Sequence, residues 1–181
     1  MRPKWYFSEA IILTRRNYSE ADRILIVASK YYGKIVLLAK GVRKPKSRKR
    51  GSIEVFSKIK FSAARGKVFD IVTEVEMLNF HNGIRSNLKK ITLAYYFMEV
   101  VDRITQQEEK NGEIFDLLDH YLEKLGSEEK LRILKDEFII KILILSGFWP
   151  KDKKIDDPGK TLENILERRI YSARVGKKVL S

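Results

Sequence analysis

Between Gly33 and Gly51 the chain reads Gly-Lys-Ile-Val-Leu-Leu-Ala-Lys-Gly-Val-Arg-Lys-Pro-Lys-Ser-Arg-Lys-Arg-Gly. Lys40, Arg43, Lys44, Lys46, Arg48, Lys49 and Arg50 crowd its second half, with no acid among them. Pro45 forbids a helix there, and Gly41 and Gly51 bracket the run. Cations packed this closely repel one another unless an anion lies against them, and a phosphate backbone is the anion that fits a linear array. A loop that merely keeps the protein soluble is the plainer alternative. Arg15, Arg16, Lys30, Lys34 and Lys40 lie on or beside the neighbouring apolar runs and would extend the patch.

Other chemistry is missing. There is no cysteine, which rules out disulfides and thiolate metal sites, and His81 and His120 lack metal-ligand spacing. No phosphate-binding glycine loop and no nucleophile elbow occurs. The acidic pairs Glu128-Glu129 and Asp156-Asp157 suit a helix start and a polar loop. No catalytic constellation, metal or cofactor is expected, and the fold should form without metal.

Net charge supports a binding role. The 181 residues carry a formal charge of +13 with an isoelectric point near 9.8. Residues 1–80 hold 18 Lys and Arg against 7 Asp and Glu, while residues 81–181 hold 19 against 17. A basic module therefore precedes a nearly neutral one, and its partner should be acidic. The first residues show no apolar signal core, and the apolar run Phe138–Leu145 is too short to span a bilayer, so a cytoplasmic protein without membrane contact is expected.

The elements that must position the basic run follow from hydrophobic period. Strands are predicted at Glu9–Thr14, Arg23–Ser29, Ile35–Lys40, Ile53–Ser62 and Val68–Leu78, joined by turns at 17–20, 31–33 and 65–66. Five short strands with glycine turns predict a closed barrel, an OB-fold ahead of an SH3-like one. Trp5, Tyr6, Phe7, Tyr18, Tyr31 and Tyr32 sit among the basic residues, where rings can stack on bases; for Trp5 and Phe7 packing at the barrel ends is expected ahead of stacking. Tyr18 and Tyr31 fall in turns, where packing and base stacking both stay open.

From His81 the period turns helical. Ile84, Leu88, Ile91, Tyr95 and Met98 predict the inward face of one long helix, widened by Leu93, Phe97, Val100 and Ile104. Asn111 is placed to cap a second helix that Gly126 ends, Ser127 a third and Thr161 a last, with 151–160 as a loop. Phe138–Leu145 is apolar nearly all round, which predicts a central helix. The fold class is thus α+β: an OB-fold barrel over 1–80 and an all-helical domain over 81–181.

The run Tyr18-Ser19-Glu20-Ala21-Asp22-Arg23, then Gly33-Lys34, then Ala39-Lys40-Gly41-Val42-Arg43-Lys44-Pro45-Lys46-Ser47-Arg48 resembles the N-terminal signature of the RecO recombination-mediator family. Leu143–Pro150 resembles the end of that family's central helix, and Ser172–Leu180 loosely resembles its closing segment. The resemblance implies an OB-fold and a helical domain. It implies binding of single- and double-stranded DNA, annealing of complementary strands, and partnership with RecR. It also implies contact with the acidic tail of single-strand-binding protein, help in loading RecA, and a place near the nucleoid. The sequence departs in having Ser19 where the family usually has Gly, in its shorter length, and in having only Lys151–Lys160 where many members carry a four-cysteine zinc module.

With that resemblance, basic residues beside apolar ones in the helical part become candidates for the acidic peptide: Arg132 and Lys135 on the third helix, Arg168 and Arg169 on the last. The basic barrel taken alone would also suit an RNA-binding OB protein of the translation apparatus.

Overall fold

The computed structural model describes residues 3–47 and 49–166. Five strands, β1 (Trp5–Tyr18), β2 (Asp22–Ser29), β3 (Gly33–Ala39), β4 (Lys58–Ala64) and β5 (Asp70–Asn79), close into a barrel in the order β1-β2-β3-β5-β4. Pairings are antiparallel except β3 with β5, which run parallel at Leu37–Asp70 and Leu38–Ile71. This strand order is the five-stranded Greek-key barrel of an OB-fold.

β1 is longer than its apolar core because it serves two neighbours. Trp5–Ile11 pairs with β4 and Ala10–Tyr18 with β2, and a register shift between Ile12 and Thr14 lets the strand bend between them. Alternation puts Tyr6, Ala10 and Ile12 inside with Leu25, Val27, Ile35, Leu37, Ile59, Phe61 and Val72. The same parity turns Trp5 and Phe7 outward, so the expectation that they pack in the barrel is corrected.

The predicted strand Ile53–Ser62 is also corrected: pairing starts only at Lys58. Phe56 adopts φ 54°, a left-handed conformation that breaks an extended run, while its ring stays buried. Ile53 is nevertheless a core residue, held from a loop.

The chain clusters into two compact units. One holds the residues up to Phe80 together with Gln106–Phe115; the other holds His81–Thr105 and the residues from Asp116. In the barrel unit Gln107 bridges Lys34, and the Glu108 N–H donates to the Lys34 carbonyl at 2.8 Å. Gly33 (φ 67°) is required here, since a Cβ would fall 1.9 Å from the Glu109 carbonyl oxygen.

The helices are α1 (Asn82–Arg85), α2 (Leu88–Ile104), α3 (Gly112–Ser127), α4 (Leu131–Leu145) and α5 (Pro158–Ile165). One long helix from His81 is therefore not observed: α1 ends at its C-cap Ser86 and Asn87 caps α2, its Oδ1 accepting from the Lys89 and Lys90 N–H groups at 2.9 and 3.3 Å. The inward face of α2 is Leu93, Ala94, Phe97, Met98, Val100, Val101 and Ile104, whereas Leu88 is 67% and Tyr95 46% exposed. Phe97, Tyr121 and Phe138 meet at the centre of this unit, with Phe97 and Phe138 centroids 4.1 Å apart. Burial lifts the Tyr121 phenol to about 12, helped by Glu137, and raises Tyr96 as well, with Glu163, Asp136 and Glu99 adding to it.

α4 is buried along Leu134, Phe138, Ile139, Ile142 and Leu143 but leaves Lys141 exposed and Ile140 half-buried, so it is one-sided rather than central. Asn111 caps α3 as expected, accepting from the Ile114 N–H at 3.2 Å. Ser127 and Thr161 are not caps. Glu128 takes the N–H groups before α4, and Asp157 caps α5 ahead of Pro158.

Candidate nucleic-acid interface

The basic loop is anchored, not slack. Val42 and Ile53 drop into the barrel core at its two ends. The Gly41 N–H donates to Asp22 Oδ1 at 2.7 Å, and the Arg43 N–H donates to the Ala21 carbonyl at 2.9 Å. Successive turns follow, with N–H groups of Lys44, Ser47, Arg50 and Ser52 each donating three residues back. This coil holds Lys40, Arg43, Lys44, Lys46 and Arg50 exposed. Lys49 is turned inward, its Nζ donating to the Val72 carbonyl at 3.0 Å. Arg48 lies outside the described residues.

The cations act on one another. The Arg23 guanidinium is drawn below its ordinary value, first by burial and then by Arg15, with Arg43 and Arg50 adding to this and Glu54 opposing. Burial alone would disfavour any charge; it is the share from Arg15, Arg43 and Arg50 that marks a positive potential, which attracts an anion. Arg15 is partly neutralised by Glu54, with Nη2 to Oε2 at 2.8 Å. Arg16 stands exposed opposite Ile24 on the β1–β2 ladder.

The structure does not gather every candidate. Lys30 and Lys34 sit at the opposite end of β3 from the loop, beside residues 106–115. The Lys30 ammonium lies 5.9 Å from the Phe115 ring centroid.

The sequence reading left out Arg23, and also the β4–β5 turn. There Phe69 meets Tyr18 edge-to-face at 5.9 Å, with Arg65 and Lys67 exposed beside it. Arg43 Nη1 donates to the Ser19 carbonyl at 3.3 Å, so that turn, the β1–β2 turn and the basic loop share one end of the barrel. A lone arginine before an apolar run carries no signal of its own; only the barrel closure shows it.

In the helical unit, Lys89, Glu129, Lys130, Leu131, Arg132 and Ile133 line a cleft of about 370 Å³. Arg132 is exposed there, while the Lys135 ammonium lies 4.8 Å from the Tyr96 ring centroid. Arg168 and Arg169 lie outside the described residues. Among the described residues no acid or histidine cluster is placed to hold a metal, and no helix is long and apolar enough to cross a membrane.

The family described as "Recombination protein O N terminal" matches residues 1–81, and "Recombination protein O C terminal" matches residues 85–152. The chain belongs to the RecO family. It is similar to the DNA repair protein RecO of Pelotomaculum thermopropionicum, 35% identical over 147 residues, which are 81% of this chain and 57% of that one. It is 31% identical to the RecO of Moorella thermoacetica over 82% of this chain and 55% of the relative. The RecO of Dehalococcoides mccartyi strain CBDB1 is 31% identical over 97% of this chain and 68% of its own length. The chain thus spans little more than half the length of the first two relatives.

Proposed function

We propose that this chain is a non-enzymatic mediator of DNA repair and recombination. It binds single- and double-stranded DNA, anneals complementary strands and, with RecR, helps load RecA onto strands covered by single-strand-binding protein. The observation that carries the reading is the anchored basic loop at one end of the OB barrel, with Arg43, Lys44, Lys46 and Arg50 exposed and Arg43 and Arg50 near enough to act on Arg23. A fixed array of cations neutralises phosphates without choosing a sequence, and two strands neutralised together can approach and pair.

The cleft with Arg132, Lys89 and Lys130 beside Ile133 supports a site for the acidic tail of single-strand-binding protein on the helical unit. An apolar wall flanked by a guanidinium and ammonium groups suits a peptide that ends in a carboxylate.

Annealing of two complementary fluorescent strands by the full chain tests the reading. Wild type should speed pairing well above the protein-free rate, and Arg43→Gln with Lys44→Gln and Arg50→Gln should return it close to that rate. No acceleration by wild type would overturn the annealing role. In parallel, a labelled acidic tail peptide should bind wild type at low salt and lose affinity with Arg132→Ala.

A further inference from the structure

Two large rings stand outward on β1, largely uncovered by the described residues of the barrel: Trp5 is 61% and Phe7 63% exposed. Two residues apart on one strand, they share a face, roughly 7 Å from each other along it. Their β4 partners are Ala64 and Ser62, too small to fill the space beside them. Solvent exposure of adjacent aromatics has no folding advantage, so the pair points to a ligand with flat apolar faces.

Charge says which ligand. Lys4 is exposed next to Trp5, and its carbonyl accepts the Arg65 N–H at 2.9 Å, which brings the cationic turn of Arg65 and Lys67 to the same edge. That turn runs on to Phe69, in contact with Tyr18, and Tyr18 precedes Ser19, which holds Arg43 of the basic loop. A continuous track of rings and cations therefore leads from the basic loop to Trp5 and Phe7. The acids lie past Phe7, Glu9 on the same face of β1 and paired with Lys58 at 3.7 Å, Glu74 and Glu76 on β5 two strands away, and they would keep a phosphate backbone on the Lys4 and Arg65 side. A protein partner would instead call for a broad apolar centre, which Ala64 and Ser62 do not supply.

We propose that Trp5 and Phe7 form a stacking platform for unpaired bases, continuous with the phosphate-binding loop, so that the barrel grips single strands by their bases as well as their backbone. The proposal rests on the DNA-binding reading above and adds the preference for single over paired strands. Duplex bases are closed to such rings, so duplex binding depends on the cationic loop alone.

The test compares a fluorescent oligothymidylate with a duplex of equal length on the full chain and on Trp5→Ala/Phe7→Ala. Both residues are exposed, so the variant should melt with wild type. Single-strand affinity should fall by at least about tenfold, since a base stack on one ring is worth about fivefold to a hundredfold. Duplex affinity should change by less than about twofold, and the salt slope should hold because no phosphate contact is lost. In a Trp149→Phe background, where Trp5 is the sole tryptophan, its emission should be quenched by oligothymidylate and not by duplex. Unchanged single-strand affinity, or quenching equal for both, overturns the platform and leaves the rings to a protein partner. If wild type binds no DNA at all, the DNA-binding reading itself fails, a result distinct from failure of the platform.

Discussion

Ser19 occupies the left-handed region with φ 53°, at the turn between β1 and β2, a conformation that suits glycine. A side chain there costs roughly 1–2 kcal/mol, and glycine returns about half of that gain as chain entropy. Ser19→Gly should therefore stabilise by about 0.5–1 kcal/mol, which for a chain of this size raises the melting temperature by roughly 1–4 °C. The carbonyl that receives Arg43 belongs to the backbone and survives the change. A lower melting temperature would show that the Ser19 side chain has a role of its own. Trp5 and Phe7 carry the opposite lesson. Their type predicts burial, but strand parity decides it, and parity is hidden because β1 begins at Trp5, four residues before the strand predicted from Glu9.

Helix boundaries were legible where one residue dominates and illegible where several compete. Asn111 caps α3 as its type predicts. Ser127 looked like the start of α4, yet α3 runs through it, and the Glu128 carboxylate accepts the Glu129 and Lys130 N–H groups at 2.9 Å each. Those backbone donors, Lys130 foremost, hold the Glu128 carboxyl below its ordinary value. A carboxyl lowered in the folded state adds stability above its unfolded value, and that contribution is lost as pH falls through the lowered one. Glu128→Ala should lower the melting temperature at neutral pH and converge on wild type in acid. Ser127→Ala should stay within about 0.5 kcal/mol. Thermal melts across pH check both, and a larger effect from Ser127 would reverse the assignment. The phase of α2 was misread for a related reason. Asn87 restarts the helix, so Leu88 is a first-turn residue and Ile84 belongs to a different element.

Across the whole chain, the barrel and the split of charge were legible because both are properties of long runs: alternation over five strands, and a surplus of cations in 1–80. What the sequence could not supply was long-range. Residues 106–115 cluster with the barrel though they lie in the helical part of the sequence, and the local traces are glycines at the close approaches, Gly33 above all. Arg23 joins the cation cluster through barrel closure, while Lys30 and Lys34, near it in sequence, are carried to the other end of β3. The central claim is that the anchored loop binds phosphate backbone, and a salt titration of a fluorescent single strand tests it most directly. If about six phosphates are neutralised, log K for wild type should fall with log salt at a slope of roughly −4. With Arg43, Lys44, Lys46 and Arg50 changed to Gln, about two contacts remain and the slope should flatten to roughly −1.4. Lys30→Gln with Lys34→Gln should leave it near −4, within about half a unit. An unchanged slope after removal of the four loop charges would contradict the claim and place the DNA contacts elsewhere on the molecule.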